Sequence, residues 1–230
     1  LAWVNERKST SITSTGEKFL DTTLDRRVVI ETQLIKWQLY NPTVSRRYKD
    51  LKIFPFLFLL DLLLQIDPPE LTKYEYALFV TKAQRMSDIE DAKVHISEFR
   101  NLTDKQRSDL IDSIQGSSSR ERRPLLEEIL DSAGKEIGFF TLAGPLQETR
   151  IGRACGINLV DRDRAKEILR KIKPVVYIDF EEEIDWVGYY GNWRKGPTVE
   201  DAIEYYADIG KIRKAKEVVT PLSTEKQKEK

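Results

Sequence analysis

Hydrophobic positions in this chain recur mostly at intervals of three and four residues, so helices dominate the prediction. Residues 24–38 read as an amphipathic helix with Ile30, Leu34 and Trp37 on one face, broken by Asn41-Pro42. Pro55 opens a helix that is apolar almost all round, as expected at the centre of a helical domain, and Asp67-Pro68-Pro69 ends it. Phe54, Leu57, Leu60 and Leu64 are its expected core positions.

Thr72 with Glu75, and Ser87 with Glu90, fit the capping box, in which a hydroxyl and a carboxylate satisfy orphan backbone N–H groups reciprocally. The helix after Ser87 is expected to bury Ile89, Ala92, Ile96 and Phe99 and to leave Lys93, Ser97 and Arg100 outward. Only residues 83–86 separate the two helices, which makes a tight helix-turn-helix pair. Thr103 to Gln106 starts another helix. Gly116-Ser117-Ser118-Ser119 is the clearest loop and the candidate boundary. Beyond it, residues 120–133 read as a helix stopped by Gly134. Strands are expected near 138–143 and 156–160, with Gly144-Pro145 and Gly152 in a hairpin-like region between them. Asp161 caps a basic helix to Ile172, 175–179 reads as a strand, and helices cover 182–190 and 198–208. The polar tail 220–230 is expected to be disordered.

Near the start, Ser11-Ile12-Thr13 reads as a short strand running into a helix over 15–20, the pattern that ends a winged-helix wing. The expected fold class is therefore mainly α with small β-hairpins, in winged-helix-like DNA-binding subdomains. The expected divisions are 1–22, the end of a preceding winged unit; 23–116, a helical recognition subdomain; 117–219, a second winged-helix-like subdomain; and the tail.

Composition narrows the chemistry. The most apolar run, 53–66, is too short to cross a bilayer core of ~30 Å, and Asp61 and Gln65 interrupt it. One cysteine, Cys155, excludes a disulfide framework, and one histidine, His95, leaves few ligands for zinc. The cytoplasm is the expected compartment. With 38 basic and 38 acidic residues, no net field announces nucleic acid. Their distribution is uneven: 26–52 and 150–173 are basic-rich, whereas 179–185 is acidic. One binding face would produce such segregation, and so would solvated helix faces.

The order helix, helix, Ser/Arg-rich helix, strand, hairpin, strand is that of a winged helix, whose helix before the hairpin enters the major groove by its N-terminal residues. Those residues are Ser117, Ser118, Ser119, Arg120, Arg122 and Arg123. Hydroxyls and helix N-terminal N–H groups suit phosphate oxygens, and arginine pairs bidentately with guanine O6 and N7. A flexible serine linker followed by a solvated arginine turn would look the same. In the hairpin, Gln147, Thr149, Arg150 and Arg153 offer a wing for the backbone or minor groove. Lys82, Gln84, Arg85, Lys93 and Arg100 form a second cationic surface on the earlier helix pair. Trp37, His95 and Cys155 read as structural. No catalytic set emerges. Metal-dependent cleavage needs a carboxylate and then Asp/Glu-x-Lys on an adjoining strand; Asp91-Ala92-Lys93 has the spacing but lies in a helix, and Glu181-Glu182-Glu183 has no lysine beside it.

Several stretches resemble AlwI-type endonucleases, the type IIS restriction group that includes nicking enzymes. The segment Gln33-Leu34-Ile35-Lys36-Trp37-Gln38 before Asn41-Pro42 is similar to that family's helix end. The apolar run from Pro55, residues 71–78, 89–101 and Val187-Gly188-Tyr189-Tyr190-Gly191-Asn192 are similar in order and spacing. The resemblance covers roughly 12–192. It implies N-terminal winged-helix subdomains that read an asymmetric DNA site, and a separate C-terminal Mg²⁺-dependent nuclease domain. This chain is expected to stop before that domain, to start late and to be short between Arg107 and Arg120. Catalytic residues and cofactors are therefore expected in the missing domain alone.

The leading expectation is a sequence-specific, monomeric, double-stranded DNA recognition module. The alternatives are a winged-helix protein–protein interaction module without a DNA-reading role, and a small nuclease with an unrecognised metal site.

Overall fold

The computed structural model describes residues 2–4, 10–44, 49–116, 125–151, 154–211 and 213–218. In chain order the elements are β1 (Ala2–Val4), β2 (Thr10–Ile12), α1 (Ser14–Leu20), α2 (Arg26–Lys36), α3 (Pro55–Gln65), β3 (Glu70–Thr72) and α4 (Lys73–Glu75). A π-helical turn, Tyr76–Val80, continues α4, and a 3₁₀ turn, Met86–Asp88, leads into α5 (Ile89–Asn101). Then follow α6 (Asp104–Gly116), α7 (Leu125–Phe140), β4 (Leu146–Ile151), β5 (Ala154–Leu159), α8 (Arg162–Ile172), α9 (Glu183–Gly191) and α10 (Val199–Asp208). Residues 213–218 are also helical. The chain is mainly helical with small antiparallel sheets, as its hydrophobic period predicts. None of the described helices is long and apolar enough to cross a membrane.

The chain divides into two compact units, one formed by Leu1–Phe54 with Ile168–Lys230 and the other by Pro55–Glu167. In the second unit α3 is the central rod. Phe56, Leu57, Phe58, Leu59 and Leu60 are all fully buried, while Leu64 is half-buried. Rings from distant positions pack together here, with Phe56 and Phe140 at 5.7 Å between centroids. A satellite cluster of Leu78, Phe99 and Leu126 joins the helix pair to α7. The sheet has the order β3-β5-β4, antiparallel throughout. Gly156 pairs with Thr72 across that sheet, and a Cβ there would lie 2.4 Å from the Leu71 carbonyl oxygen, so only glycine allows this approach.

One of the two expected capping boxes forms, and a further one appears at Thr103. Thr72 Oγ1 accepts from Glu75 N at 3.1 Å while Glu75 Oε2 accepts from Thr72 N at 2.7 Å. Thr103 and Gln106 do the same at 3.3 and 2.9 Å. The box expected at Ser87 and Glu90 is replaced by Asp88, whose Oδ2 accepts from Gln84 N at 2.8 Å and Arg85 N at 3.0 Å. Glu90 instead holds Lys93. A short acid reaches nearby backbone donors more easily than a longer one.

The strand expected near 138–143 is a correction. Residues 138–140 end α7, which runs through Gly134, and 141–145 are turn. Leu126, Ala133, Ile137 and Phe140 are buried at helical intervals, and that shared face outweighs the local β-propensity of Phe139, Phe140 and Thr141. Arg100, expected outward, is a second correction. Its Nε donates to Glu75 at 2.6 Å, and its Nη1 donates to the carbonyls of Asp67 and Pro68 at 3.1 and 3.3 Å.

In the first unit, β1 and β2 pair antiparallel. Thr13 caps α1 by accepting from Gly16 N at 3.1 Å. An aromatic cluster of Phe180, Trp186, Tyr189 and Tyr206 forms the core, with Trp37 packed against it. The strand expected at 175–179 is a third correction, since no strand or ladder forms there. Side chains take the ladder's place: Asp179 N donates to Tyr206 Oη, Glu181 N to Tyr205 Oη, both at 3.0 Å, and Gln38 Nε2 donates to the Ile178 carbonyl at 2.8 Å.

Candidate nucleic-acid interface

The expected DNA-contacting residues fall on separate elements. Lys82, Gln84 and Arg85 are all exposed on the turn between the π-helical segment and α5. The turn is pinned on both sides. Ala83 is buried and its N–H donates to the Val80 carbonyl at 3.1 Å, while Asp88 gathers the N–H groups of Gln84 and Arg85. Fixing the backbone in this way aims the three long side chains at solvent without ordering their ends.

Lys93, further on in α5, is engaged. Its Nζ donates to Glu90 at 2.9 and 3.0 Å and to Gln65 Oε1 at 3.1 Å. Asp91 and Lys93 cannot act as the strand motif that their spacing imitates. On a helix, residues two apart point to nearly opposite sides, whereas on a strand they share a face. Among the described residues no group of three or more His, Cys, Asp or Glu side chains is placed to hold a metal ion.

On the hairpin, Arg150 and Gln147 are exposed and Thr149 is half-buried opposite Gly156. Arg150 and Glu148 share one face of β4, but Glu148 is taken by Cys155, whose thiol donates to it at 2.7 Å. The hydrogen bond to that carboxylate pushes the exposed Cys155 thiol up from its ordinary value. Ser117, Ser118, Ser119, Arg120, Arg122, Arg123 and Arg153 lie outside the described residues. The adjoining first turn of α7 carries exposed Glu127 and Glu128, which would repel phosphate.

Two features escaped the sequence reading. Arg162, Lys166 and Arg170 are exposed one turn apart along α8, a spacing that the helical period foretells but that no residue-by-residue choice included. Lys36 is the other. It is completely buried, where a lysine reads as exposed by type. Its Nζ donates to the Asn192 carbonyl at 2.7 Å and lies over the Tyr189 and Tyr190 rings at 6.0 and 5.7 Å. Gln33 completes the nest, in the amide orientation that satisfies both ends: its oxygen accepts from Lys36 Nζ at 3.1 Å and its nitrogen donates to the Tyr190 carbonyl at 2.8 Å. Burial brings the Lys36 amine down to about 7, against an upward pull from Asp201. Gln33-to-Gln38 and Val187-to-Asn192, two segments that carry the family resemblance, thus meet in one core.

The model of the AlwI restriction endonuclease family matches residues 1–188. No curated protein matches the chain.

Proposed function

The chain belongs to the AlwI restriction endonuclease family, and on that premise we propose that it is a sequence-specific double-stranded DNA recognition portion of a type IIS restriction or nicking endonuclease. The observation that carries this reading is the topology of the second unit. A helix, α3, is followed by strand β3, then helices, then the β4–β5 hairpin, and β3 pairs with β5 so that the sheet runs β3-β5-β4. A winged helix has that order, with the helix ahead of the hairpin as the reader and the hairpin as the wing.

In this reading α7 presents its N-terminal approach to the major groove. Because Glu127 and Glu128 occupy its first turn, base contacts fall to Arg120, Arg122 and Arg123 just ahead of it, with Ser117, Ser118 and Ser119 on phosphate. Arg150, Thr149 and Arg153 grip the backbone from the wing, and Lys82, Gln84, Arg85 and Lys93 supply a second contact surface. Cleavage by the family's chemistry needs Mg²⁺ and a carboxylate set. In this reading no cleavage step is assigned to the residues named here.

Selection of duplexes from a random pool by the purified chain tests the reading. Enrichment of one short asymmetric sequence, with scrambled duplexes bound far more weakly, is the expected result. Uniform recovery of all sequences would leave only a non-reading role. No binding to any duplex would favour the protein–protein interaction module, and Mg²⁺-dependent cutting by this chain would overturn the separation of reading from cleavage.

A further inference from the structure

The turn that carries Lys82, Gln84 and Arg85 borders a half-open cavity of about 280 Å³ in the second unit. Buried Leu78, Ala83 and Ala92 give it an apolar lining. Half-buried Phe79 and exposed His95 add a pair of rings whose planes are 16° from parallel and whose centroids are 6.1 Å apart. Exposed Lys82 and Asp91 complete its polar edge. We propose that this cavity receives one nucleobase of the bound DNA against the Phe79–His95 ring pair, with its exocyclic amino group on Asp91 and the neighbouring phosphate on Lys82. The proposal rests on the DNA-recognition reading above.

Four observations converge on a base as the occupant. The cavity is at the small end for ligand sites, which suits one planar ring system and not an extended molecule. Its lining is apolar and aromatic, and an exposed imidazole beside it offers a π-face, which every base can stack on. Its acids count against a phosphate or any other anion inside the cavity, whereas a base is neutral and carries N–H donors. Asp88 is already committed to the Gln84 and Arg85 N–H groups, but among the described residues no group pairs with Asp91. Its carboxylate is therefore the acceptor left for an amino group of adenine, cytosine or guanine. Lys82 lies at the same cavity, where a cation can meet the backbone of the nucleotide whose base has entered. Taking a base out of its stack costs free energy, which the ring contact and the amino hydrogen bond offset.

The chain contains one histidine, so the His95 ring signals in a proton NMR spectrum are unambiguous. Titration with the duplex that the chain selects should move the His95 Cε1–H signal upfield, because the proton comes to lie over a base ring. His95→Ala, a surface change, should weaken the selected duplex about tenfold, within the range for base–aromatic stacking. Phe79→Leu should weaken it in the same direction, and Asp91→Asn should change which base is preferred at one position. Tight duplex binding with an unmoved His95 signal and an undiminished His95→Ala variant would overturn the cavity's role while leaving DNA recognition intact. Failure to bind any duplex would overturn the recognition reading, and this inference with it. A cavity that takes an aromatic side chain of a protein partner would leave the signal unmoved throughout the DNA titration, which also sinks the proposal.

Discussion

Arg100 on α5 and Glu75 at the end of α4 form an ion pair of 2.6 Å in which the glutamate side chain is only 5% exposed. The same guanidinium holds the carbonyls of Asp67, Pro68 and Glu70, and the same carboxylate closes the Thr72 cap. One arginine thereby ties the segment after α3, strand β3 and the helix pair together. Arg100→Ala strands Glu75 as a buried charge and should cost about 3–5 kcal/mol, read from the urea midpoint. Pairing Arg100→Met with Glu75→Gln should recover part of that loss. Strictly additive losses would mean that the two residues act independently.

Gly156 offers a test of the sheet. With its Cβ position 2.4 Å from the Leu71 carbonyl oxygen, Gly156→Ala must separate β3 from β5 or strain the strand. The expected penalty is about 1–3 kcal/mol, typical of overpacking. Gly138→Ala, where a Cβ meets nothing within 4 Å, is the matched control and should be neutral or slightly stabilising.

Lys36 sets a pH dependence whose sign is fixed by its burial. In the folded chain the amine titrates near 7, against an ordinary value of 10.5. Between those values the unfolded chain holds a proton that the folded chain has released, so stability contributed here rises with pH across that window. Below and above it the contribution is flat. Lys36→Met should abolish the rise when unfolding is followed by urea titration over this range. An unchanged slope in the variant would show that the buried amine titrates normally.

Reading and gripping can be told apart by salt. If Arg120, Arg122 or Arg123 contacts a guanine edge, its change to Ala should cost about 1–3 kcal/mol on the preferred duplex and relax preference there. Loss of Arg150 or Arg153 should weaken all duplexes alike and flatten the salt dependence by about one unit of slope. Lys82→Ala and Arg85→Ala should outweigh Lys93→Ala, since Lys93 is already paired with Glu90 and Gln65. Equal losses on preferred and scrambled duplexes for every arginine before α7 would assign those residues to phosphate.

Some of this was legible in the residues and some was not. The rod α3 announces itself, because an apolar run between two prolines has little else to become. The box at Thr72 was readable because it needs only residues three apart, whereas the same spacing at Ser87 and Glu90 lost to the nearer Asp88. Gly134 misled as a helix stop. It sits inside α7 because the helix goes on to bury Ile137 and Phe140, and Phe140 packs on Phe56. The hidden fact is a neighbour 84 positions away in sequence, which local pattern cannot supply. Lys36 escaped for the same reason, since Asn192, Tyr189 and Tyr190 come from the far end of the chain. Of the candidate interface, the exposed turn at Lys82 to Arg85 was legible from its polarity. The cavity beside it was not, because Phe79 and His95 meet only when the two helices fold back on each other.

The division of the chain also bears on how it is made. The unit Pro55–Glu167 is a single uninterrupted stretch, whereas the other unit is assembled from Leu1–Phe54 and Ile168–Lys230. A ribosome therefore delivers every residue of the uninterrupted unit before it delivers the second half of the divided one. The uninterrupted unit can close while synthesis continues, but Lys36 must wait, its apolar surroundings unbuilt, until Tyr189, Tyr190 and Asn192 emerge. Nascent chains halted once residue 167 has left the ribosomal exit tunnel, but before Tyr189 has, should thus hold a protected interior in 55–167 and an open, protease-sensitive segment ahead of it.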